Sequence, residues 1–297
     1  QRCRGTLNAY PALVRKALPD GLLGAFDSIS ACIDSLSAGD IEKDFFRLAM
    51  ISLIPGYSKA RASGGWLKWG DRAGDVQSLP GAFRSRVKMM LEDVHARNLR
   101  TSRERIGWQV GQADARCLPD PSKTYSAVIT SPPYPNRHDY TRVFGVELMF
   151  AFLDWEEARH LRYQSFHSHP EARPIRPDTA GYAPPQQLLP LLERLRENNI
   201  DPRVSAMLEG YFLDMFLCLR EVSRVCKPGA RVGFVVGNAQ YWGEPVPVDE
   251  LTAEIGEQVG LSCERILVVR YRGNSARQMG RYGRNPSRES VVMFRLC

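Results

Sequence analysis

Tyr125-Ser126-Ala127-Val128-Ile129-Thr130-Ser131-Pro132-Pro133-Tyr134 sets a short apolar, β-branched run directly before two prolines and an aromatic ring. The run Ser126–Thr130 predicts a buried strand. Proline cannot donate to a β-ladder, so the strand ends near Ser131. The next residues lie at its carboxyl end, where open α/β sheets gather their ligands. Two adjacent prolines lack N–H groups and hold their φ angles, which leaves carbonyl groups aimed rigidly outward to accept from a donor. With a hydroxyl before them and a ring after them, Ser131, Pro132, Pro133 and Tyr134 form a candidate cradle for a planar group bearing an amine.

Outward from this stretch, strands and helices alternate. Further strands are predicted at Ile106–Val110, Arg231–Val236, Arg265–Arg270 and Ser290–Phe294, and helices at Val143–Leu153, Gln186–Glu197, Ser205–Cys226 and Val248–Val259. Such alternation argues for an α/β fold with a largely parallel sheet. The last two strands are joined by a segment too poor in apolar residues for a crossover helix, so a terminal antiparallel hairpin is expected. Toward the amino terminus, Leu13, Leu18, Leu22, Phe26, Ile29 and Ile33 recur at helical spacing within a helical region from Leu7 to Pro55. Gly56–Pro80, with Trp66 and Trp69 among Lys59, Arg61 and Lys68, reads as a loop before a helix at Gly81–Asn98. The expected organisation is a helical region over 1–105 and an α/β region over 106–297. Within the latter, about 155–203 forms an insertion, marked by five prolines from Pro170 to Pro185.

The chain has 297 residues, 43% hydrophobic and 25% charged, which excludes a fibrous or globally disordered protein. Forty Lys and Arg against 33 Asp and Glu give a net charge of +7, a mild bias toward polyanions. Seven scattered cysteines form no disulfide framework and no close metal-ligand pair, and are read as reduced thiols in a cytoplasm. No apolar run approaches the ~20 residues of a bilayer helix, so no membrane partner is expected. His160, His167 and His169 lack cysteines or paired carboxylates at ligand spacing, and no metal is expected there.

Ser131-Pro132-Pro133-Tyr134, following Asp114-Ala115-Arg116 and a short strand, resembles the catalytic motif of the amino-methylating DNA methyltransferases. In that family Asp, Asn or Ser precedes Pro-Pro and an aromatic residue. A leading Ser is associated more with the cytosine 4-amino group, a leading Asp or Asn with the adenine 6-amino group. Asn136-Arg137-His138-Asp139-Tyr140-Thr141-Arg142 is similar to a bacterial branch, and Leu219–Gly229 followed by Ala230–Gly237 resembles the helix, turn and fifth strand of S-adenosylmethionine-dependent methyltransferases. The resemblance covers roughly Gly111 to Cys297. It implies a Rossmann-like methyltransferase sheet with S-adenosylmethionine as cofactor and DNA as partner, and a base flipped into the cradle for direct methyl transfer. Asp114 and Ala115 would contact the cofactor. Asn136, Arg137 and His138 would hold the extruded nucleotide. A non-catalytic DNA-binding subunit is the alternative.

Arg272, Arg277, Arg281 and Arg284, with Arg270 and Arg288 nearby, lie in and around a Gly-, Ser- and Asn-rich loop carrying Tyr271 and Tyr282. They are further candidates for phosphate contact and stacking. One part of the family pattern is missing. No glycine loop of the Phe-x-Gly-x-Gly type follows a first strand, and no acidic residue closes a second one. Leu22–Phe26 has a helical pattern, Ser63-Gly64-Gly65 lacks a preceding strand, and Gly237 reads as the end of the fifth strand. The expectation is that an amino-terminal segment or a second subunit carries the loop, which would leave one side of the sheet open in this chain.

Overall fold

The computed structural model describes residues 9–100, 107–197, 201–273, 280–283 and 286–297. The chain divides into two compact units, 1–110 with 139–162 and 111–138 with 163–297.

The first unit is helical. It contains α1 (Ala12–Ala17), α2 (Asp20–Asp34), α3 (Asp40–Ile51), α4 (Ile54–Tyr57), a hairpin of β1 (Ala60–Ser63) and β2 (Trp66–Trp69), and α5 (Leu79–Arg100). Pro11 and Pro19 stand immediately before α1 and α2, where a missing N–H costs nothing. The apolar stripe of α2, Leu22, Leu23, Phe26 and Ile33, is buried. The chain returns to this unit at Asp139, whose carboxylate accepts from the backbone N–H of Thr141 at 2.9 Å and so caps α6 (Tyr140–Val143). Then come α7 (Gly145–Ala151) and α8 (Trp155–Gln164), which crosses the unit boundary at Arg162. Phe150 of α7 stacks on Tyr10 at 5.3 Å and meets Phe26 edge-on, tying the returning segment to α2.

The second unit is a mixed α/β layer. β3 (Tyr125–Thr130) pairs in parallel with β4 (Cys226–Gly237), and β7 (Leu261–Arg272) and β8 (Ser287–Leu296) complete the sheet antiparallel, in the order β3-β4-β8-β7. Between β3 and β4 run α9 (Leu188–Glu197) and the long α10 (Arg203–Val225). β5 (Ala239–Tyr241), β6 (Glu244–Val246) and α11 (Val248–Gln258) follow β4. Lys227-Pro228-Gly229 enters as a bulge: Tyr125 pairs with Cys226 but Ala127 already with Arg231, and Gly229 takes φ +78°. Val232, Phe234, Val292 and Phe294 face a core shared with α10 and α11. Gly256 lets α11 settle on Phe294, because a Cβ there would lie 2.4 Å from its ring.

The other side of the sheet differs. Ile129 is 86% exposed and Val269 62%, and among the described residues no strand pairs with the outer edge of β3.

Several expectations need correction. The four-stranded sheet is not largely parallel, since only β3–β4 pairs in parallel and β8 runs antiparallel to both β4 and β7. β3, expected as a buried strand, carries no buried residue, because its outer edge and one face are uncovered among the described residues. Ile106 lies outside the described residues, and 107–110 form no strand: Trp108 and Val110 stand in solvent with no partner strand to pair their backbone. Gly56–Pro80 contains a hairpin rather than only a loop, because Gly64-Gly65 supplies the two-residue turn between Ser63 and Trp66, with Gly64 at φ +59°. The helix expected at Val143–Leu153 is broken at Phe144, whose φ of −101° and ψ of 20° separate α6 from α7. The unit division also departs from a single boundary at 105/106, since 139–162 packs with the helices.

Candidate active site

β3 releases the chain at Thr130, and Ser131 begins the loop with its side chain exposed. Pro132 is buried, and Pro133 and Tyr134 are half-buried. The Tyr134 ring is fixed from several sides. Its hydroxyl donates to Glu289 Oε1 at 2.8 Å. The Arg272 guanidinium lies over the ring, 5.2 Å from its centroid. The ring edge rests against Gly237 at the end of β4, where a Cβ would come within 2.8 Å of Cδ2 and Cε2. Burial raises the Tyr134 phenol above its ordinary range, with the Glu289 carboxylate adding to the effect and the Ser131 hydroxyl and Arg272 opposing it. The phenol is therefore neutral at physiological pH, suited to packing rather than to accepting protons.

Glu289 is the hub of this arrangement. It accepts from Arg270 Nε and Tyr134 and stands 3.9 Å from Arg272 Nη1. Its hydrogen bond from Arg270 holds the carboxylate below its ordinary value. Arg272 Nε is buried without a hydrogen-bond partner among the described residues, an N–H at the mouth of the site with an unused donor.

Beyond Tyr134 the loop turns tightly. The N–H of Asn136 donates to the Tyr134 carbonyl at 2.7 Å, and the Asn136 side chain accepts from the N–H of His138 at 3.1 Å. Arg137 adopts φ +67°, donates through its backbone to Ser168 O at 2.9 Å and pairs with Asp201. The buried Tyr241 hydroxyl, on the β5–β6 hairpin, donates to Pro135 O at 2.6 Å and pins the loop to that hairpin. A cleft of about 320 Å³ opens there, lined by Asn136, Arg137, Asn238, Trp242 and Arg272 among others. It adjoins the cradle through Asn136 and Arg272.

Asp114 and Ala115 lie in a turn closed by an Asp114–Cys117 bridge. Both carboxylate oxygens of Asp114 accept from Arg116, at 2.8–3.3 Å. Hydrogen bonds from Arg116 hold that carboxyl low against the opposing effect of its partial burial. Arg116 continues inward to Asp214, a fully buried acid of α10 that also accepts from His167 and from Arg176 Nε at 2.9 Å. His167 therefore serves a buried ion cluster rather than the surface, while His169 is buried and bonded to Ser165. Among the described residues no group of side chains could hold a metal.

Of the arginine group, Arg272 reaches the cradle, Arg270 is committed to Glu289, and Arg288 to Asp249 and Glu250. Arg281 stacks on Tyr282 at 5.4 Å. Arg277 and Arg284 lie outside the described residues. Sequence reasoning missed Glu289, Asp214 and the role of Gly237. A lone acid in the apolar run Tyr211-Phe212-Leu213-Asp214-Met215-Phe216 was the available signal for a buried ion cluster.

The described cysteines are free thiols, and no described helix is long and apolar enough to cross a membrane. No protein-family model matches the chain. The Type II methyltransferase M.BsoBI of Geobacillus stearothermophilus is 29% identical over 304 residues, covering 85% of this chain and 59% of that protein. The Type II methyltransferase M.AvaI of Nostoc sp. is 30% identical over 288 residues, covering 85% of this chain and 58% of that protein. The solved structure of a DNA modification methylase from Thermus thermophilus, so described in its name, aligns with 62% of this chain and 51% of that one, at 16% identity and a TM-score of 0.29, too low to bear on the fold. This chain spans a little under three-fifths of the length of the curated relatives it matches. Across 85% of its own length it is similar in sequence to these two Type II methyltransferases.

Proposed function

We propose that this chain carries the amine-binding part of a site-specific DNA methyltransferase. It would direct a methyl group from S-adenosylmethionine to the exocyclic amine of a flipped base, with cytosine N4 favoured over adenine N6. The observation that carries this reading is Tyr134, locked by Glu289, Gly237 and Arg272 next to Ser131 and Pro132 at the end of β3. An exocyclic amine is a poor nucleophile because its lone pair is delocalised into the ring. Acceptance of its two hydrogens by the Ser131 hydroxyl and the Pro132 carbonyl would favour a pyramidal nitrogen with its lone pair available. The target is paired inside a duplex and must be extruded, and the ring face of Tyr134 not covered by Arg272 would receive it. Asn136, Arg137 and His138 would flank the extruded nucleotide, and the unused Nε–H of Arg272 suits a phosphate or base oxygen. Arg277, Arg281 and Arg284 would add backbone contacts from the loop.

The donor supplies an electrophilic methyl group on a sulfonium. The described residues do not fit it by themselves. Asp114 is occupied by Arg116, Gly21 and Gly24 lie in α2, Gly64-Gly65 forms a hairpin turn, and Gly237 lies against Tyr134. The chemistry assigned to this chain therefore stops at the amine. We infer that a further segment, on the same polypeptide or a second subunit, carries the glycine-rich cofactor loop. It would add strands to the open edge of β3, making β3-β4-β8-β7 one half of a Rossmann-like sheet. The exposed Ile129 and the open sheet face support this reading.

The test is product identity. The complete protein is incubated with methyl-labelled S-adenosylmethionine and DNA, and the DNA is digested to nucleosides for mass analysis. Labelled N4-methyldeoxycytidine is expected. N6-methyldeoxyadenosine would correct the base, whereas a label on a ring carbon, or no transfer at all with DNA bound, would overturn the reading and favour a binding subunit.

A further inference from the structure

We propose that the β1–β2 hairpin of the helical unit is a DNA-backbone contact surface, with Arg61 and Lys68 on phosphates and Trp66 against a sugar or base face. The choice of DNA as the polymer rests on the function proposed above; the surface itself rests on its own geometry.

Ala60 pairs with Trp69, Arg61 with Lys68, Ala62 with Leu67 and Ser63 with Trp66. Directly paired residues share one face of a ladder, so Ala60, Ala62, Leu67 and Trp69 lie on one side and Arg61, Ser63, Trp66 and Lys68 on the other. Ala60 is buried and Leu67 packs on the helical core, so the first set faces inward and the second outward. The outward face therefore sets two cations opposite each other, an arrangement that destabilises a ladder. Neither forms an ion pair among the described residues, although Asp71 lines the same cleft of about 420 Å³ as Arg61, Lys68 and Arg72.

Trp66 is 62% exposed on this cationic face. Arg142 lies over its ring at 4.8 Å, and Lys16 lies over Trp69 at 4.3 Å. An exposed indole on the same ladder face as Arg61 and Lys68, with Arg142, itself paired to Asp139, over its ring, offers both parts of non-specific nucleic-acid binding, phosphate neutralisation and a stacking plane. A fold-stabilising hairpin would have no use for the uncompensated Arg61–Lys68 pair. A polyanion supplies the missing charge.

The test is binding of a fluorescent DNA duplex by the complete protein, measured by anisotropy across a salt series. The variants are Arg61→Ala with Lys68→Ala, and Trp66→Ala alone. The double variant should bind about tenfold more weakly at moderate salt, and its log K against log salt slope should be shallower by about 2. Its melting temperature should be unchanged or higher, because a repulsive pair has gone; a purely structural pair would lower it. Trp66→Ala should weaken binding with the salt slope retained. Wild-type affinity and slope in the double variant would overturn the proposal, as would failure of the wild type to bind DNA. An effect confined to anionic lipid vesicles or to RNA would likewise overturn it. Methyl transfer to DNA alongside an unaffected double variant would sink the hairpin alone. The expected binding loss without methyl transfer in the wild type would sink the functional reading alone.

Discussion

Asp214 and Glu289 each gather cations in the sheet unit, yet they are placed for different ends. Asp214 is fully buried in α10 and accepts from His167, Arg176 and Arg116, all of them well covered. Glu289 lies at the end of β8, takes Tyr134 on one oxygen, and holds Arg270 and Arg272, whose side chains are 64% and 38% exposed. A buried acid with every lone pair used is part of the scaffold. An acid at a rim that fixes one aromatic ring and keeps two arginines half in solvent is a support for a site. The difference is one of solvent access, and it predicts that stability depends mostly on the first cluster and activity mostly on the second.

The strongest way to break this contrast is Asp214→Asn. It removes the buried charge facing Arg176 and leaves Arg116 with Asp114 alone, and unfolding in urea should show a loss of about 3 kcal/mol. The pH dependence has a fixed sign. Both carboxyls are held below their ordinary values in the folded chain, Asp214 by its bonds to His167 and Arg176 against the cost of burial. Their contributions are therefore complete above the unfolded values of about 3.9 and 4.3, and decline as pH falls through the lower folded values. Wild-type stability should fall in that acid range, and Asp214→Asn should flatten the fall. A variant with undiminished acid sensitivity would deny Asp214 this role.

Gly237→Ala comes next. The new methyl group would meet the Tyr134 ring at 2.8 Å and collide with the end of Arg272, so both side chains must shift. About 1–3 kcal/mol of stability should go, with methyl transfer down more than tenfold. Equal losses of transfer from Gly237→Ala and Asp214→Asn after matching for folded fraction would blur the two clusters. Glu289→Gln keeps an acceptor for Tyr134 but releases Arg270 and Arg272. The expected thermal cost is about 1 kcal/mol or less, while transfer falls severalfold. The smallest effect belongs to Tyr134→Phe, which removes one hydroxyl and keeps the ring. About 0.5 kcal/mol of stability and about twofold of activity are expected, against near-complete loss of transfer in Tyr134→Ala.

The strand-turn at Tyr125–Tyr134 was legible because proline chemistry ends a strand in only a few ways, and the long helices near 205–226 and 248–259 because their apolar spacing runs for several turns. The short Trp66–Trp69 strand was not, since four residues carry little periodicity and the Gly64-Gly65 turn is the main mark of the hairpin. Trp108 and Val110 misled for the opposite reason: apolar composition predicts a strand, but a strand also needs a neighbour. At the candidate site, Ser131 to Tyr134 stood out as a cradle from their chemistry. Glu289 and Gly237 could not, because each lies more than 100 residues away along the chain and meets Tyr134 only once β3, β4 and β8 are in register. The bond of Asp114 to its neighbour Arg116 was not legible either, because the turn that aligns the two is set by the Asp114–Cys117 bridge.

The most direct measurement is paired: DNA affinity and methyl transfer read in the same preparation of the complete protein, wild type against Ser131→Ala. Removing the Ser131 hydroxyl, which in this account accepts from the amine and also bonds the Tyr134 phenol, should leave DNA affinity within about twofold and reduce the transfer rate by about a hundredfold or more. Transfer at the wild-type rate, or a loss of transfer matched by an equal loss of DNA binding, would contradict the assignment of the amine to this cradle.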